Sequence, residues 1–223
     1  MNIPDKDMFL KESCEALCEM LENTRSLKPL DSASLDKDKT ALVIIDMVNG
    51  FVKEGSLCSP RIEAIVPRVV RTAFICSKRL FKIIAFADCH DDDSAEFSCY
   101  PPHCVKGTEE SQLIDELKLV DNIELIEKNS TNGFHEDVFN KWIKENKDIN
   151  NFIVTGDCTD ICVLQFTLSL KAYFNKRNLQ AEVIVPVDSV ETFELGIHKG
   201  DLMNLVSLFL IESSGVKLVS EII

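Results

Sequence analysis

Six short apolar runs, separated by segments of helical character, restrict this sequence to few folds. They are TALVIID (40–46), FKIIAFA (81–87), NIELIEK (122–128), NFIVTG (151–156), AEVIVP (181–186) and VKLVSEI (216–222). Most are rich in β-branched residues, and several are apolar at nearly every position, as strands covered on both faces must be. Between them, apolar residues recur at helical spacing. Ile65, Val69, Val70, Ala73 and Phe74 form one stripe, Phe139, Trp142 and Ile143 a second, and Leu202, Leu205, Val206 and Phe209 a third. Strands that alternate with helices pair in parallel, because each helix returns the chain to the end of the sheet from which it set out. The pattern predicts an α/β fold, a parallel sheet flanked by helices on both faces, with ligands at the carboxyl ends of the strands.

The 223 residues suffice for one such core. Residues 1–39 stand apart from it. Leu10, Cys14, Leu17 and Leu21 fall at i, i+4, i+7 and i+11, which predicts an amphipathic helix, followed by a polar linker around LDSASLDKDK. The chain thus divides into an N-terminal helical extension and linker (1–39) and a main domain (40–223). The helix is expected to pack on that domain or on a second subunit, so a homo-oligomer is compatible with the pattern.

Charge and cysteine content narrow the function. With 24 Lys and Arg against 37 Asp and Glu, the formal charge of −13 repels phosphates over most of the surface. That argues against nucleic acid and for a small-molecule ligand. Nine cysteines make an odd count, and Asp5, Lys6, Asp7, Lys11 and Glu12 interrupt any apolar leader. A cytoplasmic, reducing location with free thiols is expected. No apolar run approaches the roughly 20 residues needed to span a bilayer, so no membrane association is expected.

Three distant residues sit at strand ends with complementary chemistry. Asp46 closes the first run, Lys128 the third, and Cys162 follows the fourth in TGDCTDICVL, at a helix start. A parallel sheet gathers such positions on one face. A cysteine attacks as thiolate, a form favoured by a helix N-terminus and by a nearby ammonium, and a carboxylate can shuttle the proton. Each residue alone has an ordinary structural explanation: a turn cap, a snorkelling lysine, a packed thiol.

The stretch DCHDDDSAEFSCYPPHC (88–104) offers a second cluster. Asp88 and His90 are one residue apart and project to the same side of an extended chain. Glu96 and His103 can complete a shell of nitrogen and oxygen donors, and Pro101 and Pro102 stiffen the approach to His103. Such a set suits one divalent ion, Zn first, with Mn or Fe(II) also accommodated. Cys99 and Cys104 lack the spacing of a zinc ribbon, and the acidic run 91–93 reads as a solvated turn.

Taken together, ALVIIDMVNGF, DCH followed by YPPHCVKGT, the lysine of EKNSTNGF and VTGDCTDICV, in this order over roughly residues 41–190, resemble the isochorismatase-like cysteine hydrolases, and within them the nicotinamidases (pyrazinamidases). The resemblance implies a six-stranded parallel sheet in a Rossmann-like three-layer α/β/α fold. It implies a catalytic triad of Asp46, Lys128 and Cys162, a metal site at Asp88, His90 and His103 with Glu96 as a further ligand, and a cis peptide before Cys158. It also implies hydrolysis of nicotinamide through a cysteine thioester, with the backbone N–H groups of Cys158 and Cys162 as the oxyanion hole. Phe51 and Tyr100 stand where the family places aromatic walls around the ring, and Phe134 and His135 are expected to border the pocket. His198 reads as a structural hydrogen-bonding residue. Asp157 with Cys158 departs from the small apolar pair usual before the nucleophile, and Gly50 replaces an acidic residue found in many relatives. Two other readings stay open: a related cysteine hydrolase acting on another small amide or carbamoyl group, and a metal or thiol sensor that keeps the fold without turnover.

Overall fold

The computed structural model describes residues 5–223. All six predicted runs form strands: β1 (Thr40–Ile45), β2 (Lys82–Asp88), β3 (Ile123–Lys128), β4 (Asn151–Asp157), β5 (Glu182–Pro186) and β7 (Lys217–Val219). They lie in the order β3-β2-β1-β4-β5-β7, every pair parallel. A two-residue strand, β6 (Val190–Glu191), joins β4 beside Gly156 and Asp157. It escaped the sequence pattern because two residues carry no periodicity. The helices are α1 (Lys6–Arg25), α2 (Asn49–Val52), α3 (Pro60–Lys78), α4 (Asp137–Glu145), α5 (Leu164–Lys176) and α6 (Gly200–Ser213). Among the described residues none is long and apolar enough to cross a membrane.

Strand periodicity divides the core. On β1, Leu42 and Ile44 point into one apolar layer with Ile62, Val69 and Ala73 of α3. Ala41, Val43 and Ile45 point into the other, against Phe139 and Trp142 of α4, Phe166 and Leu170 of α5, and Leu208 and Ile211 of α6. Local signals start α3: Pro60 occupies its first turn and the Ser59 side chain accepts from the Arg61 N–H.

Two helical faces differ from expectation. On α6 the buried residues are Gly200, Ser207, Leu208 and Ile211, whereas Leu202 and Phe209 are exposed. MNLVSLFLI is apolar nearly all round, so spacing alone selects no face. On α1 the expected stripe is also rotated: Leu10 and Leu21 are exposed, and Ser13, Leu17, Met20 and Thr24 are half-buried. The predicted linker is tied down. The N–H of Leu30 donates to Glu221 and its carbonyl accepts from Ile223, while Leu35 enters the core.

The strand order places the ends of β1, β2, β3 and β4 side by side, with Asp88 level with Lys128 and Ile45 level with Gly156. Gly156 makes the last pairing possible. Its φ is +111°, and a Cβ there would lie 1.9 Å from the Ile45 carbonyl oxygen. Gly156→Ala is therefore expected to force β4 away from β1 and destabilise the protein by about 3 kcal/mol or more, read as a lowered urea midpoint.

Candidate active site

Where β1 ends, Asp46 takes a left-handed backbone conformation (φ +56°), which aspartate tolerates better than most residues. Its side chain is fully buried. Lys128, at the end of β3, is 1% exposed, and its ammonium lies 2.9 Å from Asp46 Oδ2 and 2.5 Å from Asp88 Oδ1. The contact with Asp46 is an ion pair between two fully buried side chains. The ammonium also donates to the Ser130 carbonyl (3.1 Å) and approaches Cys162 Sγ at 3.9 Å.

Cys162 stands on a π-helical turn, Thr159–Val163, that leads into α5. Here the Cys158 carbonyl accepts from the N–H groups of both Ile161 and Val163. The peptide between Asp157 and Cys158 is cis, as the resemblance implied. Asp46, Lys128 and Cys162, separated along the chain, thus converge.

One ammonium between two buried carboxylates cannot compensate both. Asp88 is held low: burial opposes its charge, but Lys128 and then His103 and His90 outweigh it. Asp46 is pushed up to about 7, chiefly by burial, with Lys128 pulling the other way. Lys128 stays an ammonium, since the two carboxylates outweigh its burial. The Cys162 thiol is raised by burial more than Lys128 lowers it. Burial thus favours the protonated thiol, and Asp46 is the adjacent group able to take its proton, the shuttle role expected of it.

Asp88, His90, Glu96 and His103 form the second cluster, with one ligand-type atom of each within 4.8 Å of all the others. The Nε2 atoms of His90 and His103 each lie 3.2 Å from Asp88 Oδ2. Their opposite nitrogens are committed elsewhere. His103 Nδ1 donates to the Pro101 carbonyl (2.8 Å) and His90 Nδ1 to Asn129 Oδ1 (3.1 Å). These bonds orient both rings so that their Nε2 atoms face one carboxylate oxygen, an arrangement that suits a shared cation. His90 Nε2 is buried without a hydrogen-bond partner. Glu96 is held by the Thr131 N–H on Oε2 (3.1 Å). The donor set thus fits a divalent ion.

A cavity of about 210 Å³ joins the two clusters, with Cys158 and Cys162 meeting Asp88, Glu96 and His103 in its lining. Phe51 and Tyr100 contribute walls, as expected, and their rings lie 5.7 and 6.2 Å from that of His103. Phe134 does not line it. Its ring belongs to an aromatic cluster with Phe139, Phe166 and Tyr173. Position shortly after Lys128 suggested the pocket, but the short helical turn Gly133–His135 carries the ring to the far core. Asn129, Phe97 and the wall residues Leu57, Ile161, Phe193 and Leu195 escaped the sequence reading. Only Asn129, directly after Lys128, carried a local clue.

Comparison with known proteins agrees with this architecture. Residues 40–214 match the isochorismatase domain. Nicotinamidase 1 of Arabidopsis thaliana is 34% identical over 84% of this chain and 88% of its own. An N-carbamoylsarcosine amidase from Thermoplasma acidophilum superposes with a TM-score of 0.63 at 27% identity, covering 81% of this chain and 95% of that one. The pyrazinamidase of Pyrococcus horikoshii, solved in complex with zinc, shares the fold with a TM-score of 0.69 at 22% identity, over 81% and 98% of the two chains. The chain belongs to the isochorismatase family.

Replacing Lys128 with Met would leave Asp46 and Asp88 buried without a counter-ion. We expect a loss of about 3–5 kcal/mol in unfolding free energy at neutral pH, measured by urea titration and partly regained in acid as the carboxylates are protonated.

Proposed function

We propose that this protein hydrolyses nicotinamide to nicotinate and ammonia through a thioester on Cys162, with one divalent ion beside the site. The observation that carries this reading is the convergence of Asp46, Lys128 and Cys162 next to the Asp88, His90, Glu96 and His103 cluster, with both clusters opening on one aromatic-walled cavity. The identity with the Arabidopsis nicotinamidase supports the choice of substrate.

In this mechanism Asp46, poised at about 7, accepts the thiol proton as sulfur attacks the carboxamide carbon. Lys128 holds Asp46 in place and offsets the negative charge that forms beside it. The backbone N–H groups of Cys158 and Cys162 are assigned to the oxyanion, where each such donor contributes about 3 kcal/mol when matched to the transition state. Asp46 then returns the proton to the leaving ammonia and activates the water that cleaves the thioester. Asp88, His90, Glu96 and His103 would hold the ion, Zn in preference to Mn or Fe(II), which when bound supplies a Lewis acid for the pyridine nitrogen. Phe51 and Tyr100 confine the ring so that its carboxamide faces Cys162.

Purified protein is expected to release ammonia from nicotinamide, and Cys162→Ala to abolish release while keeping the wild-type urea midpoint. Retained turnover in that variant would refute the nucleophile. Metal analysis should find about one divalent ion per chain, lost in His90→Ala. His103→Ala should raise KM more than it lowers kcat. A panel including carbamoyl amides would reveal the other hydrolase reading by turnover that excludes nicotinamide.

A further inference from the structure

One wall of the cavity comes from the segment after β6, where Phe193, Glu194 and Leu195 reach the lining. Arg61 secures the base of this segment. Its Nε donates to the Thr192 carbonyl (3.1 Å), and its Nη2 to Glu191 (3.0 Å) and Asp201 (2.7 Å). Beyond that base the chain folds into a hairpin. Leu195 and His198 exchange backbone hydrogen bonds of 3.1 and 2.9 Å, and Gly196 takes a left-handed φ of +59°. The tip has little packing to hold it, since Leu195 is 73% and Ile197 100% exposed.

His198 supplies the missing anchor. Its ring stacks on Phe193 with centroids 4.0 Å apart and planes 3° from parallel. Its Nδ1 lies 3.1 Å from the Phe193 carbonyl oxygen and its Nε2 2.8 Å from Asp160 Oδ2. Asp160 belongs to the π-helical turn that carries Cys162, and its other oxygen accepts from Thr192 Oγ1 at 2.6 Å. A single carboxylate on the nucleophile's own turn thus grips the hairpin at base and neck.

We infer that His198 is a positioning residue for the substrate: through Phe193 and Asp160 it holds the outer cavity wall against the turn that bears Cys162, and so sets the size of amide that fits. The inference rests on the amide-hydrolase assignment of this cavity. Without the imidazole, the remaining anchors hold only the base of the hairpin, at Thr192 and Glu191. The wall then has to be ordered each time a substrate binds, and that entropic cost weakens ground state and transition state alike. Phe193 carries no group that exchanges a proton and His198 is not part of the cavity lining, so the chemical step itself keeps its barrier.

The test compares wild type, His198→Ala and His198→Gln on nicotinamide and on a bulkier, ring-methylated nicotinamide. Losing a hydrogen bond to a charged partner and the ring stack is expected to raise KM for nicotinamide about tenfold in His198→Ala, with kcat within about threefold. The preference for nicotinamide over the bulkier amide should shrink, and Gln, which can still donate to Asp160, should recover part of the KM. Unchanged KM and selectivity, or a loss confined to kcat, would overturn the inference. Should His198→Ala fail to fold, Phe193→Ala takes its place with the same expected split, and a normal KM there counts against the proposal equally. Wild type inactive on nicotinamide but active on another amide removes the substrate assignment alone, and the variants are then compared on that amide. Inactivity on every amide removes both.

Discussion

A single buried ammonium organises this molecule's functional end. Lys128 is almost fully enclosed yet charged, and it remains so because Asp46 and Asp88 flank it from the ends of β1 and β2. Taking a lysine out of water costs several kcal/mol, and one unpaired buried carboxylate costs as much. The three groups therefore stand or fall together. Their balance is unequal by construction: with one positive charge for two carboxylates, the ionised form settles on Asp88, which the two imidazoles also favour, while Asp46 is left near neutrality. That inequality gives the site an adjustable proton acceptor beside a thiol.

The same ammonium links two pieces of chemistry that sequence keeps apart. Asp88 serves the histidine cluster with one oxygen and Lys128 with the other. An ion held by the cluster would draw on the charge that Lys128 now shares, so occupancy there and the proton affinity of Asp46 are coupled through a chain of direct contacts. The cavity places a largely apolar, aromatic-walled enclosure over Cys162 and Asp88, in which such charges are felt more strongly than in water. Its walls come from five separate segments, and the outermost is attached to the nucleophile's turn by Asp160.

Much of this was legible in the residues. Apolar runs located five strands within a residue and overshot the end of β7 by three, because VKLVSEI stays partly apolar beyond Val219. Asp46, Lys128 and Cys162 were found because polar residues that end apolar runs stand out, and Asp88 with His90 because alternation puts them on one side. What failed did so for physical reasons. The face of α6 was misread because its apolar residues surround the axis, and that of α1 because amphipathic spacing marks a stripe without saying how much of it is covered. Phe134 was misplaced because closeness in sequence to Lys128 says nothing of which way a tight turn sends a ring. How far burial works against the nearby cation at Cys162 was not legible, because burial is a property of the fold.

By itself the sequence determined the strand and helix alternation, and with it a parallel sheet whose carboxyl ends carry a carboxylate, an ammonium, a thiol and a set of metal-type donors. Those features are local: each depends on side-chain type and on spacing within one element. Only the tertiary structure decided which oxygen faces which nitrogen, which way each imidazole is turned, which loops close the cavity and in which direction burial shifts each buried group. Such properties depend on distance and dielectric between residues far apart in the chain, and no local pattern encodes either.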